Sequence, residues 1–157
     1  MLPEDWETVR EIYQLGMDTN LATYEDTAPD YRHWNDARHP DCRIVALLEN
    51  RIVGWATLMP VSSRPVYDGV AEVSIYVDPR VQRGGVGTGL LNELVRCSEE
   101  KGFWTLEASI FQNNIASIRL HERCGFRTIG WREKLGKDRY GEWRNTVLME
   151  RRSGKIY

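Results

Sequence analysis

The chain has 157 residues and a formal net charge of −2. Its 41% hydrophobic and 28% charged content suits one soluble globular domain, residues 1–157, able to bury a core of its own. The slight acidic excess excludes a general binder of nucleic acid or of an anionic membrane surface, and no apolar run approaches a membrane span.

In chain order, Pro3-Glu4-Asp5 places a proline and two acids where a helix N-terminus favours them, and Trp6, Val9, Ile12, Tyr13 and Met17 follow at helical spacing. This first helix is expected to end near Gly16. Residues 21–27 read as irregular, and a short second helix is expected over Pro29 to Arg38. CRIVALLE and IVGWATLM flank Asn50-Arg51 as the arms of a β-hairpin, and residues 62–69 read as a loop. AEVSIYV (Ala71 to Val77) is a strand whose alternation puts Glu72, Ser74 and Tyr76 on one face and Val73, Ile75 and Val77 on the other. Val86, Leu90, Leu91, Leu94 and Val95 then form a helical stripe that Gly102 can terminate, and LEASIF returns as a strand. The resulting β–α–β unit favours a parallel pair with a right-handed crossover. Asn113 or Asn114 can cap a helix ending before Gly125, and two strands are expected over Phe126 to Leu135 and Arg144 to Arg151. The predicted fold is α/β: a mixed, mainly antiparallel sheet with one parallel step and flanking helices.

Between the strand and the helix, RGGVGTG carries four glycines, Gly84, Gly85, Gly87 and Gly89. Glycine at a helix start costs backbone entropy, and a phosphate-bearing ligand supplies a reason for it. A P-loop needs Lys and Ser/Thr after its last glycine, where this chain has Leu90 and Leu91. A dinucleotide fingerprint beginning at Gly85 needs a glycine at Leu90. Neither pattern holds. Gln82, Gly85 and Gly87 do match Q/R-x-x-G-x-G/A, a cradle of backbone N–H groups that binds pyrophosphate without metal or lysine. A glycine-rich loop without a ligand is the alternative on the hexapeptide alone.

With NIASIRLHERCGF (Asn114 to Phe126), which fits N-x-x-A/S-x-x-x-Y/H-x-x-x-G-F, the chain resembles the GNAT superfamily of N-acetyltransferases over nearly its whole length. SRPVYDGVAEVSIYVDPRVQRGGVG, RLHE and YGEWRNTVLMER resemble its phosphinothricin acetyltransferase-like branch, whose members acetylate the α-amino group of phosphinothricin, methionine sulfoximine or related amino acids. Two departures stand out: the family's strand ahead of the first helix is missing, and Asp68-Gly69 replaces a more aromatic or basic pair. The resemblance implies acetyl-CoA as co-substrate, no metal, a small-molecule amine as acceptor, and a homodimer. It implies that Ile75, Tyr76 and Val77 run beside the pantetheine arm and supply the oxyanion donor. Gln82, Arg83, Gly84, Gly85, Val86, Gly87 and Thr88 would hold the pyrophosphate, with Asn114 and Ser117 bordering the arm.

Acetyl transfer to an amine needs a neutral nucleophile, an oxyanion donor and a proton for the departing thiolate. Glu72, an acid within a strand otherwise built for burial, is the general-base candidate; a solvated strand face or an ion pair is its plainer explanation. His121 stands where most of the superfamily has a thiolate-protonating tyrosine, although a lone helical histidine also suits simple packing. Arg64 and Tyr67 are candidates to grip an acceptor carboxylate or phosphinate, and Tyr24-Glu25 to line its pocket, against loop solubility as the other explanation. Trp6, Trp34, Trp55 and Trp104 read as core, and His33 and His39 as surface. Cys42, Cys97 and Cys124 are odd in number and widely spaced, so neither a disulfide framework nor a metal cluster is expected; three free thiols suit a reducing cytoplasm. Acetyl-CoA-dependent N-acetylation is the expected function. A protein N-terminal or lysine acetyltransferase and a non-catalytic CoA-binding sensor are the rivals.

Overall fold

The computed structural model describes residues 1–81 and 84–157. A single 3-10 turn leads into helix α1 (Trp6–Asp18), and α2 (Tyr31–Asp36) follows after a long irregular segment. Strands β1 (Ile44–Leu48), β2 (Arg51–Pro60) and β3 (Val70–Val77) precede α3 (Val86–Glu100). Then come β4 (Thr105–Phe111), α4 (Ile115–Arg123), β5 (Arg127–Lys137) and β6 (Trp143–Arg152). The six strands form one sheet in the order β1-β2-β3-β4-β6-β5, and every neighbouring pair is antiparallel except β3–β4. The expected architecture is therefore present, including the crossover through α3.

Both sheet faces are partly covered. α3 and α4 close one face through Leu90, Leu91, Leu94 and Val95, which meet Leu58, Val73, Leu106 and Met149. α1 and α2 close one half of the other face, where Trp6, Val9, Ile12, Met17 and Trp34 surround Trp55. The buried Arg38 guanidinium lies 4.7 Å over the Trp34 ring and donates to Thr57 Oγ1 at 3.2 Å, which satisfies a cation held among aromatics.

Several expectations are corrected. α1 continues to Asp18 because Gly16 is not a stop: a Cβ there would come within 2.4 Å of Tyr76 Cδ1, so glycine lets the Tyr76 ring lie against the helix. α2 is shorter than expected, since Asp30 is its N-cap and accepts from the backbone N–H of His33 at 2.9 Å. His39, expected at the surface, is half-buried with its ring 5.0 Å from that of Phe103, and Trp104 is half-buried where full burial was expected. Cys42 and Cys97 form a disulfide across 55 residues of chain, and Cys124 is the free, buried thiol. The packing of α3 on the β1 end of the sheet brings them together, which wide sequence spacing could not show. The cytoplasmic reading thereby loses the support of three free thiols. Among the described residues no helix is long and apolar enough to cross a membrane.

Candidate active site

β3 and β4 pair only from Val70 to Glu72 against Thr105 to Glu107. Beyond Glu72 the ladder stops and the strands diverge, leaving one edge of residues 73–77 without a neighbouring strand. Two cavities fill the opening. A groove of about 470 Å³ runs past Ile75, Tyr76 and Val77, the start of α3 and the Asn114–Leu120 side of α4. A pocket of about 260 Å³ continues inward, lined by Tyr24, Met59, Glu72, Ser74, Phe111, Thr146 and His121. Ala22, Ile75, Tyr76, Asn114 and Ser117 border both, so groove and pocket are joined.

The groove is built for an anionic, elongated ligand. Gly84 (φ +110°) and Gly85 (φ +72°) occupy left-handed conformations, and a Cβ on either would meet nothing within 4 Å. Glycine is needed there for the turn, while the space outside stays open for a ligand. Gly85 caps α3 without a side-chain acceptor, so the first N–H groups of the helix face the groove's mouth with their dipole. Gly87 plays a different part: a Cβ would press to 3.2 Å from Leu120 Cδ2, so its absence lets α3 approach α4. Val86 and Thr88 also line the groove, whereas Gln82 and Arg83 lie outside the described residues. An amide cradle beside an open strand edge and a groove suits an elongated ligand that ends in a pyrophosphate, the shape of acetyl-CoA.

α4 positions two more groups. The Asn114 side chain accepts from Ser117 N–H at 3.2 Å, capping the helix, while its Nδ2 donates to the Leu21 carbonyl at 3.0 Å and ties down the pocket's roof. One turn on, His121 Nδ1 lies 2.8 Å from the Ser117 carbonyl oxygen, a contact that requires Nδ1 to carry the proton. Nε2 therefore holds the lone pair, and it is buried without a hydrogen-bond partner among the described residues. Burial outweighs the Ser117 contact and lowers the His121 pKa, so the ring rests neutral. Glu72 is half-buried, and burial, then the neighbouring Glu107 charge, raises its pKa against the opposing pull of Arg132.

Of the acceptor residues expected from sequence, Tyr24 lines the pocket, its ring edge-on to Phe111 at 4.7 Å. Glu25 is exposed beside it and lines neither the pocket nor the groove. Arg64 and Tyr67 stand on the exposed β2–β3 loop, where the guanidinium covers the Tyr67 ring at 5.7 Å, apart from the residues that form the pocket. Sequence reasoning missed Thr146, whose Oγ1 is buried in the pocket wall without a partner among the described residues, and Glu107 and Arg132 beyond it. The alternation of β6 could have pointed to Thr146; Arg132 could not be found without the strand register.

Known proteins agree with this geometry. A phosphinothricin N-acetyltransferase of Alcaligenes faecalis is 32% identical over 94% of this chain and 78% of its own. An L-methionine sulfoximine/L-methionine sulfone acetyltransferase of Salmonella typhimurium is 29% identical over 93% and 88%. The crystal structure of a Sinorhizobium meliloti phosphinothricin acetyltransferase in complex with acetyl-CoA superposes with a TM-score of 0.89 at 29% identity, covering 99% of this chain and 87% of that one. A ribosomal-protein-alanine N-acetyltransferase from Brucella melitensis superposes with a TM-score of 0.90 at 29% identity, over 98% and 97%. Residues 6–126 match the profile of the Acetyltransferase (GNAT) family, and the chain belongs to that family.

Proposed function

We infer that the protein transfers an acetyl group from acetyl-CoA to the α-amino group of a free amino acid or a close analogue, of the methionine sulfoximine and phosphinothricin kind. Membership of the acetyltransferase family, with relatives named phosphinothricin N-acetyltransferase and L-methionine sulfoximine/L-methionine sulfone acetyltransferase, supports this reading. The observation that carries the assignment here is the meeting of an anion-cradling groove with a small polar pocket at the point where β3 and β4 part.

The co-substrate supplies the activated acyl carbon; the chain supplies alignment and proton handling. In this proposal the Glu72 carboxylate takes the proton that keeps the incoming amine cationic. His121 Nε2 then accepts the proton released from the attacking nitrogen and returns it to the departing sulfur. Nδ1 stays locked on the Ser117 carbonyl throughout, so the ring keeps its aim. One proton moves from nitrogen to sulfur and one leaves through Glu72, which balances the reaction from ammonium and thioester to amide, thiol and a free proton. The unpaired edge of Ile75–Val77 offers backbone N–H to the carbonyl oxygen as charge develops.

Thiol release from acetyl-CoA, measured over a panel of amino acids, amino-acid amides, polyamines and N-terminal peptides, tests this assignment. Stimulation by free amino acids supports it, and silence across all the amines defeats it. The likeness to the ribosomal-protein-alanine enzyme supports a second reading, a peptide N-terminus as acceptor, which the peptide arm of the panel decides. We also propose a homodimer formed through the β5–β6 hairpin. Ile129, Trp131, Leu135 and Trp143 are exposed there next to the free β5 edge. Light scattering at micromolar concentration should give twice the chain mass of 18.3 kDa.

A further inference from the structure

Beyond the acceptor pocket the same sheet face holds a second cavity of about 210 Å³, lined by Glu72, Glu107, Ser109, Ile129, Arg132 and Leu148 among others. It shares Glu72, Ala108 and Ser109 with the acceptor pocket, so the two form one continuous depression. Its charges are arranged by register. Glu72, Glu107 and Glu150 lie in one row across β3, β4 and β6, and Arg127 ends that row on β5 with an ion pair to Glu150. Four residues further along β4 and β6, Phe111, Thr146 and Arg132 form another row on the same face.

Arg132 stands out among the arginines of this half of the sheet. Arg127, Arg144 and Arg151 hold Glu150, Asp138 and Glu99, and Arg152 donates to the Trp104 carbonyl at 2.7 Å. Arg132, in a cavity that contains two glutamates, makes no ion pair among the described residues. Its orientation is a product of a bulge: β5 gains a residue between Thr128 and Gly130 against β6. Without that extra residue the alternation from Arg127 would turn Trp131 toward the cavity and Arg132 away from it. Directly across from Arg132 sits Thr146, whose buried hydroxyl has no partner among the described residues.

We propose that Arg132, backed by the Thr146 hydroxyl, anchors the acceptor's carboxylate and thereby selects an α-amino acid over a simple amine. The proposal rests on the acetyl-transfer reading above and deepens it. An α-amino acid carries its ammonium and its carboxylate on one carbon. The depression offers two carboxylates, Glu72 and Glu107, on one side and a guanidinium with a hydroxyl on the other. An acceptor lacking the carboxylate leaves the guanidinium without its bidentate partner. Arg64, the carboxylate ligand expected from sequence, stands outside this depression.

The test compares kcat/KM for L-methionine sulfoximine, or the best amino acid of the panel, with that for its carboxamide. The unaltered protein should prefer the acid by about 10- to 100-fold, the range of a charge-assisted hydrogen-bonded pair. In Arg132→Gln the preference should collapse toward unity through KM of the acid. Arg132→Lys should restore part of it, and Thr146→Val should lower it less. Acetyl-CoA affinity and Tm, measured on the same variants, confirm that each is folded. If Arg132→Gln and Arg132→Lys both leave the preference intact, or depress acid and amide equally, Arg132 is not the anchor and the acetyltransferase assignment stands. Turnover of carboxylate-free amines only would overturn the anchor together with the amino-acid acceptor, and leave acetyl transfer itself standing. No turnover with any amine would remove the enzyme assignment and the anchor together.

Discussion

At the scale of single residues, two side chains have pKa values moved by burial, and each shift has a stability consequence of definite sign. His121 rests neutral because burial lowers its pKa from 6.5. A lowered histidine contributes stability that is full above the unfolded pKa and is lost as pH falls through that value toward the folded one. His121→Phe should therefore show a smaller fall in urea midpoint between pH 7.5 and pH 5 than the unaltered protein. It should also lose about 100-fold or more in kcat, with little change in KM for acetyl-CoA. Glu72 has the opposite sign: its raised pKa means the folded state prefers the protonated form, so its contribution is present at low pH and fades as pH rises past the folded value. Glu72→Gln should abolish most of the activity while raising Tm at pH 7.5, and a lowered Tm would count against the desolvated carboxylate described here. The face of Glu72 could be read from the alternation of Ala71 to Val77, and His121 could be singled out only through the resemblance of its motif to the family's. Arg132 could not be read at all, because a single bulged residue decides which face it joins.

At the scale of elements, the roof of the pocket is a segment without regular structure, residues 19–30, and the far hairpin holds it. Asp138, in the β5–β6 turn, is buried and accepts from Asn20 Nδ2 at 2.9 Å, Arg144 Nε at 2.8 Å and the backbone N–H of Tyr140 and Glu142. Those donors hold its pKa at about 2, led by the Asn20 hydrogen bond. A depressed carboxylate contributes stability present above its unfolded pKa of 3.8 and lost as pH falls through about 2. Arg139, next in the turn, donates to the Met17 carbonyl at 3.0 Å and pairs with Asp26 at 3.0 Å. Asp138→Asn should raise KM for the acceptor more than KM for acetyl-CoA, because Ala22, Thr23 and Tyr24 line the pocket on this segment. Steady-state kinetics in both substrates checks it; equal rises in the two KM values would detach the clasp from acceptor binding. Irregularity at residues 21–27 could be read from the sequence. The clasp could not, because its two halves are 118 residues apart and leave no local pattern.

For the whole molecule, the order of helices and strands was accessible from periodicity, and the disulfide was not, because Cys42 and Cys97 meet only after β1 and α3 have packed. Closing 55 residues of chain stabilises by about 4 kcal/mol in the chain-entropy picture. Reductant should lower Tm in the unaltered protein and leave Cys42→Ser/Cys97→Ser unmoved; identical Tm with and without reductant would exclude the bridge. The other whole-molecule feature is the brevity of the parallel pairing. Three residue pairs, Val70–Thr105 to Glu72–Glu107, join the half of the sheet holding β1–β3 to the half holding β4–β6. That seam acts like the spine of a book whose pages stand apart beyond it. A thioester arm laid between the pages would supply the hydrogen-bonding partner that neither strand offers the other, making the reactant a temporary member of the sheet. Acetyl-CoA at a hundred times its Kd should then add about 2.7 kcal/mol of stability. Amide exchange should slow together at residues 73–77 and 108–111, on both pages at once. Each turnover would end with the book loosened again, so departure of the thiol product is coupled to a small opening of the fold itself.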